Sequence, residues 1–533
     1  MTLFLLITAV VIFACILCNK ISSKLGIPIL LAFIVLGMVF GTDGILKIPF
    51  DNYAFAEQIC SGALIFIMFY GGFGTKWNEA RPIAGKAILL SSLGTILTAG
   101  LVGAFCHVVL KIALLESLLI GSVISSTDAA SVFSILRSKR LNLRYHTASL
   151  LEVESGSNDP FSYMLTVIVL AMIGGDVSVP GFAQLLLKQI IFGAAFGAGI
   201  AGAAYCFLKR YRFSGEGYDS IFMVAVAILA YAAPTYFGGN GYLSVYITGI
   251  MLGNLRIPNK QPLVHFFDAI TGFMQMLLFF LLGLLSFPSQ LPAVALTSLG
   301  IALFLTFIAR PAAVFLILTP FKSDFRQQLL VAWAGMRGAA SIVFAIMVVT
   351  SPVSIEHDVF HMIFFIVLFS ILIQGTLIPF VARFLNMTDD QSDVMKTFND
   401  YIEDVPVKFI QFTLDAAHPW VDQPISGIVM PPDSILVLLL RGKEKIVPRG
   451  DTVLCAGDTL VLSGIATDKI DGIRLFEKII GADDKWKDKT IAEVSRGKDL
   501  IIMVRREGAV IIPRGDTVLR EKDIVINYGD ALG

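Results

Sequence analysis

The chain has two textures. Up to about residue 388, long apolar runs are separated by short polar or charged stretches. Beyond that point the apolar runs shrink to strand length and charges become frequent. A membrane-crossing helix needs roughly 17 to 25 predominantly apolar residues. By that rule the runs near 2–18, 27–41, 55–75, 84–110, 113–136, 148–174, 180–208, 218–238, 242–253, 262–286, 291–319, 327–350 and 357–382 are spans, the ninth of them short. The pattern predicts an all-α polytopic membrane domain with about thirteen transmembrane helices, followed by an α+β tail. The boundary falls near Met387 to Asp393, where acidic and polar residues follow the last apolar run. Three domains are expected, over 1–388, 404–466 and 467–533.

Composition narrows the class. The 533 residues include 41 Lys+Arg and 41 Asp+Glu, and only 15% are charged while 56% are hydrophobic. A soluble chain carries about 25% charged residues, so an ordinary soluble enzyme and a disordered chain are both excluded. A formal charge of zero excludes a strongly basic nucleic-acid binder. Roughly half of the charged residues lie after residue 390, which gives the tail a soluble composition. Lys and Arg mark cytoplasmic loops. Alternate loops hold Lys20 and Lys24; Lys76, Arg81 and Lys86; Arg137, Lys139, Arg140 and Arg144; Lys209, Arg210 and Arg212; Arg256 and Lys260; Lys322 and Arg326, with Arg383 after the last span. The N-terminus is therefore expected outside and the tail in the cytoplasm, which requires an odd number of spans. The apolar N-terminus lacks a basic leader and an A-x-A site, so it reads as the first helix rather than a signal peptide. The six cysteines form no framework, and Cys15 and Cys18 read as buried apolar thiols.

Ionisable residues at bilayer depth cost a few kcal/mol and mark function by default. Ser125-Ser126-Thr127-Asp128 interrupts the fifth span with groups that compete for backbone hydrogen bonds. Glu154-Ser155-Gly156-Ser157-Asn158-Asp159-Pro160 opens the sixth. Helical spacing aligns Ser155 with Asp159 and Glu154 with Asn158, and Pro160 frees the carbonyl of Gly156. One face thus offers a carboxylate, a hydroxyl and a spare carbonyl, hard oxygen donors suited to a small cation. Asp159 lies roughly 18 Å from the cytoplasmic end at 1.5 Å per residue, near mid-membrane. In the twelfth span, Arg337 stands between Gly335 and Gly338. A buried Arg needs a carboxylate, and Glu154, at similar depth, is its expected partner. Arg310-Pro311 adds a basic, kinked site with no assigned partner. If spans one to six and eight to thirteen are inverted repeats around the seventh, the fifth and twelfth are equivalent. Broken crossing helices in equivalent places point to a midplane ion site.

TDAASV at Thr127 to Val132, ESGSNDP at Glu154 to Pro160 and GMRGAAS at Gly335 to Ser341 resemble the signatures of NhaP-type cation/proton antiporters. The resemblance covers the whole membrane part. It implies a homodimeric secondary transporter of the bacterial inner membrane, not an enzyme, in which a core domain moves against a dimerisation domain. It implies electroneutral exchange of one monovalent cation for one proton. Asp159 would then bind proton and cation alternately, with Asp128, Ser155 and Thr127 completing the cation site. Asn158 and Arg337 would hold Glu154 in a structural ion pair. Asn158, not being Asp, removes a second titrating carboxylate.

The tail contains an internal repeat. Ile446-Val447-Pro448-Arg449-Gly450-Asp451-Thr452-Val453-Leu454 recurs as Ile511-Ile512-Pro513-Arg514-Gly515-Asp516-Thr517-Val518-Leu519, with Asp458 and Asp523 following at matching positions. Pro-Arg-Gly-Asp suits a turn between strands. The two modules resemble the RCK-C, or TrkA C-terminal, domain of potassium systems. That resemblance favours K⁺ over Na⁺ and implies a regulatory tail that binds a small ligand, with a cyclic dinucleotide such as cyclic di-AMP as a candidate. Two motifs lead elsewhere. Gly197, Gly199 and Gly202 match G-x-G-x-x-G but lie within a span, with no strand before them, and read as helix packing. Glu356-His357-Asp358 with His361 has metal-ligand residue types, but no third ligand helix is evident in sequence, and no metal is assigned. A ligand-gated potassium channel is the alternative suggested by the tail, but it would need a TVGYG-like filter, and none is present. A serine hydrolase built on Ser155 or Ser157 lacks a histidine at matching depth.

Overall fold

A backbone in lipid must satisfy its own hydrogen bonds, so apolar runs of this length become helices. In the computed structural model the described residues are 2–25, 28–128, 131–132, 135–136, 141, 143–175, 179–211, 217–255, 257, 260–388, 407–416, 418–430, 434–442, 444–465, 475–481, 484–494, 500–506, 509–511 and 515–528. Several expectations lie outside them: the loop residues Arg137, Lys139, Arg140, Arg212 and Arg256, the Asp389 to Asp393 boundary, and Ile512 to Arg514 of the second repeat. The membrane helices are α1 (Thr2–Leu25), α2 (Ile29–Phe40), α3 (Tyr53–Gly74), α4 (Arg81–Val108), α5 (Leu114–Ile124), α6 (Thr147–Ile173) and α7 (Val179–Arg210). They continue as α8 (Tyr218–Tyr236), α9 (Gly241–Asn254), α10 (Lys260–Leu285), α11 (Leu291–Leu318), α12 (Phe325–Trp333), α13 (Ala339–Thr350) and α14 (Val359–Phe384). They fall on the expected spans in order, and among the described residues seven are long and apolar enough to cross a membrane.

Two helices stop where the sequence places polar groups. α5 ends at Ile124, and Ser126 to Asp128 have no regular structure. α12 ends at Trp333, and the chain runs unwound to Gly338 before α13. π-helical turns at Leu90–Gly94 in α4 and Leu305–Ala309 in α11 occupy matching places before the two breaks. Such turns commonly sit near functional sites. A third, Ser370–Gly375, interrupts α14.

Close helix packing uses absent side chains. A Cβ on Gly72 of α3 would strike the Tyr246 carbonyl of α9, and one on Gly249 would strike the Phe69 carbonyl. Within the G-x-G-x-x-G run, Gly197 abuts Ser244 on α9, and its carbonyl accepts the Thr248 hydroxyl at 3.1 Å. Gly199 and Gly202 face open space.

The chain divides into two units, 1–402 and 403–533. The second holds two four-stranded antiparallel sheets. The first sheet comprises β1 (Val407–Thr413), β2 (Ser434–Arg441), β3 (Glu444–Ile446) and β4 (Thr459–Ile465), in the order β1-β4-β2-β3. The second comprises β5 (Leu475–Ile479), β6 (Leu500–Arg506), β7 (Ala509–Ile511) and β8 (Ile524–Tyr528), in the order β5-β8-β6-β7. Bulges fall at equivalent places, between Leu436 and Leu438 and between Ile501 and Met503. Each sheet buries its own apolar face, with Leu439 and Leu460 in one core and Val504 and Val525 in the other. The Arg449–Thr452 turn closes through a 3.0 Å backbone hydrogen bond, as its Pro-Arg-Gly-Asp sequence predicts.

Candidate functional site

The break after α5 lies beside the break after α12. The Asp128 N–H donates to the Met336 carbonyl at 2.8 Å, joining the two unwound segments by their backbones. Unwinding leaves carbonyls without helical partners, and a buried unpaired carbonyl is costly. Arg337 answers that cost. It is buried, and its Nη1 donates to the carbonyls of Ser125 and Ser126, each at 2.7 Å. Its own N–H donates to the Ser370 hydroxyl at 3.0 Å, at the π-turn of α14. Gly338 has no room for a side chain, because a Cβ there would collide with the Asp128 carboxylate.

α6 crosses this junction and supplies the remaining groups. The Ser155 hydroxyl donates to the Thr127 carbonyl at 2.8 Å. The Asn158 amide donates to the Thr127 hydroxyl, and its oxygen accepts the Thr127 N–H at 3.3 Å. The Asp159 carboxylate accepts the Ser126 hydroxyl. Asp128 accepts the Ser131 N–H at 3.2 Å and the Ser131 hydroxyl at 2.5 Å. Asp159, Asp128, Ser155 and Thr127 therefore come together, and Asn158 braces Thr127. They line a cavity of about 440 Å³, which extends past Glu152 on α6 and Asp268 on α10. Asp268 accepts the Tyr70 hydroxyl at 2.9 Å. Pro160 adds a further polar tie, because its carbonyl accepts the Asn240 amide at 2.9 Å.

The ion pair differs from the sequence expectation. Glu154 pairs with Arg310, at 2.6 Å between Oε1 and Nη2, and both are buried. Arg337 makes no salt bridge to Glu154. Geometry explains the exchange. Glu154 is one residue, or about 100°, around α6 from Ser155. Its carboxylate meets Arg310 on α11. Gly335 admits Arg310, since a Cβ there would crowd its guanidinium. Asn158 holds Thr127 rather than Glu154. Sequence reasoning noted Arg310 but missed its partner, and it missed Ser126 and Ser131 as carboxylate donors. An arginine in an apolar run at the depth of Glu154 was the available signal.

A carboxylate beside freed carbonyls and hydroxyls, at the crossing of two broken helices, is the construction of a secondary transporter for small cations. Residues 8–384 match the family described as sodium/hydrogen exchanger, transmembrane, and residues 409–470 and 475–530 match the TrkA-C domain. The chain belongs to the sodium/hydrogen exchanger family, and it is a multi-pass membrane antiporter exchanging a monovalent cation for a proton. It is 34% identical over 464 residues to the K(+)/H(+) antiporter NhaP of Alkalimonas amylolytica, covering 86% of this chain and 81% of that relative. It is 33% identical over 469 residues to the K(+)/H(+) antiporter NhaP2 of Shewanella sp. (strain MR-4), with the same coverage. The fold is similar to the sodium proton antiporter MjNhaP1 of Methanocaldococcus jannaschii, with a TM-score of 0.62 at 23% identity. That match covers 70% of this chain and all of the solved one.

Proposed function

We propose that the chain exchanges one K⁺ for one H⁺ across the bacterial inner membrane, with its N-terminus outside and its tail in the cytoplasm. The observation that carries the site assignment is the Asp159 carboxylate on the cavity wall, beside the unwound Ser126–Asp128 segment. Proton and cation compete for this one group. Asp128, Ser155 and Thr127 supply the other oxygens, and loss of either ligand reopens the site to the other. Electroneutrality is supported by Asn158, an amide in place of a second titrating carboxylate beside Asp159. Glu154 is already paired with Arg310, and Arg337 is committed to the Ser125 and Ser126 carbonyls, so neither enters the exchange. Asp159 then takes a single K⁺ or a single H⁺ in turn. The preference for K⁺ is supported by the names of the relatives above.

We further propose a homodimer, and a tail whose paired TrkA-C modules bind a cyclic dinucleotide such as cyclic di-AMP and regulate transport. The test is proton flux in everted vesicles supplied in parallel with K⁺, Na⁺ and Li⁺. K⁺ is expected to drive the largest proton movement, and Asp159→Asn is expected to abolish it. Cation-dependent proton movement that survives this substitution would overturn the site, and an equal response to Na⁺ would overturn the selectivity. Removing the residues after 395 is expected to abolish the response to the dinucleotide, and an unchanged response would refute the role of the tail.

A further inference from the structure

We propose that Glu116, Glu356 and His357 form a binding site for a divalent transition cation of the Zn²⁺ class, separate from the transport site. The sequence dismissed Glu356-His357 because no third ligand was in view. Folding supplies it. Glu116 lies in the first turn of α5, and its carboxylate accepts the His357 backbone N–H at 2.8 Å. The same oxygen is 3.0 Å from His357 Nδ1. Ligand atoms of all three residues lie within 4.8 Å of one another. Donors around a zinc ion stand roughly 3.4 Å apart, given bonds of about 2.1 Å. Closing a gap of at most about 1.4 Å falls to Glu356, whose side chain is exposed.

The donor set decides the class of ion. One imidazole nitrogen with two carboxylate oxygens favours a borderline divalent transition ion over Mg²⁺ or Ca²⁺, which prefer oxygen alone. Three protein ligands leave a fourth position for water. Glu116 is 93% buried, with only 7% of its surface exposed, and its neighbour across the gap is the imidazole rather than an Arg or Lys. A bound dication would neutralise a carboxylate that no Lys or Arg pairs with among the described residues. The nearby His361 is committed elsewhere: Nδ1 lies 2.6 Å from Asp358, and Nε2 accepts the Phe287 N–H at 3.2 Å. The site is also remote from the cargo. Glu116 precedes the Ser125–Asp128 break by about 15 Å along the chain at 1.5 Å per residue. A bound ion would clip the first turn of α5 to the loop between α13 and α14.

The test uses the full-length, tag-free protein in detergent, stripped with chelator and titrated calorimetrically with ZnCl₂ alone. Thermal unfolding is followed in parallel. The expected result is one saturable Zn²⁺ per chain, a raised melting temperature that chelator reverses, and no response to MgCl₂ at the same concentration. His357→Ala should abolish binding, and Glu356→Ala should weaken it at least tenfold. Glu356 is exposed, so the metal-free melting temperature of Glu356→Ala should match the parent. His361→Gln should retain binding. Absence of saturable binding to the parent, an equal response to MgCl₂, or undiminished binding in either His357→Ala or Glu356→Ala would overturn the proposal.

Discussion

The two buried arginines near the junction have different tasks. Arg310 neutralises Glu154, whereas Arg337 holds the carbonyls of Ser125 and Ser126. Removing one partner of a buried pair leaves an uncompensated charge and costs about 3–5 kcal/mol. Arg310→Leu is therefore expected to lower stability by that order, measured as a fall in the melting temperature of the purified protein. Arg310→Leu combined with Glu154→Leu should recover most of the loss, because two apolar side chains leave no orphan charge. If the double substitution is no more stable than the single one, the pair does not balance itself. Arg337→Leu should behave differently, since no substitution at Glu154 can replace its two carbonyl hydrogen bonds.

Among the elements, the two breaks depend on close approach. Gly338 sits where a Cβ would collide with Asp128, at the start of α13. Gly338→Ala must displace the Asp128 carboxylate or the helix start. The expected outcome is a rise of at least tenfold in the apparent KM for K⁺, while the protein still folds and inserts. KM and maximal rate measured together test this, and an unchanged KM would remove Asp128 from the cation site. In the tail, sheet geometry repeats through a charged lock. Arg441 pairs with Asp458 at 2.8 Å, and Arg506 pairs with Asp523 at 2.7 Å. Asp458 also accepts the Cys455 N–H, and Asp523 accepts the Arg520 N–H. The hydrogen bonds from Arg441 hold the Asp458 carboxyl below the usual carboxylate range. A lowered folded pKa stabilises above the unfolded value and is lost as pH falls through the folded one. Amide protection of β2 and β4 should therefore persist at neutral pH and decline only below about pH 4. Asp458→Ala should reduce that protection already at neutral pH. Hydrogen exchange on the full-length protein measures both effects.

For the whole molecule, the order of helices and the positions of both breaks were legible in sequence. Apolar run length and isolated polar clusters act locally, and bilayer physics amplifies both. Helical spacing aligned Ser155 with Asp159, whereas Asp128 was grouped with them through the resemblance carried by the three motifs. The partner of Glu154 was not legible, since it depends on which way α6 turns relative to α11, and Arg310 is reached only across a π-turn and past Gly335. Glu116 escaped notice because it lies more than two hundred residues from His357 in the chain. The proposed competition of two cations for one carboxylate has a consequence for the whole molecule. If K⁺ and H⁺ compete for Asp159 as proposed, the two loaded forms carry equal charge, and exchange moves no net charge across the membrane. Proteoliposomes on a solid support should show no transient current after a K⁺ concentration jump, while a pH dye inside the same vesicles reports proton movement. A current that scales with the dye signal would mean that Asp128 also titrates during the cycle. A second proton would then cross with each turnover.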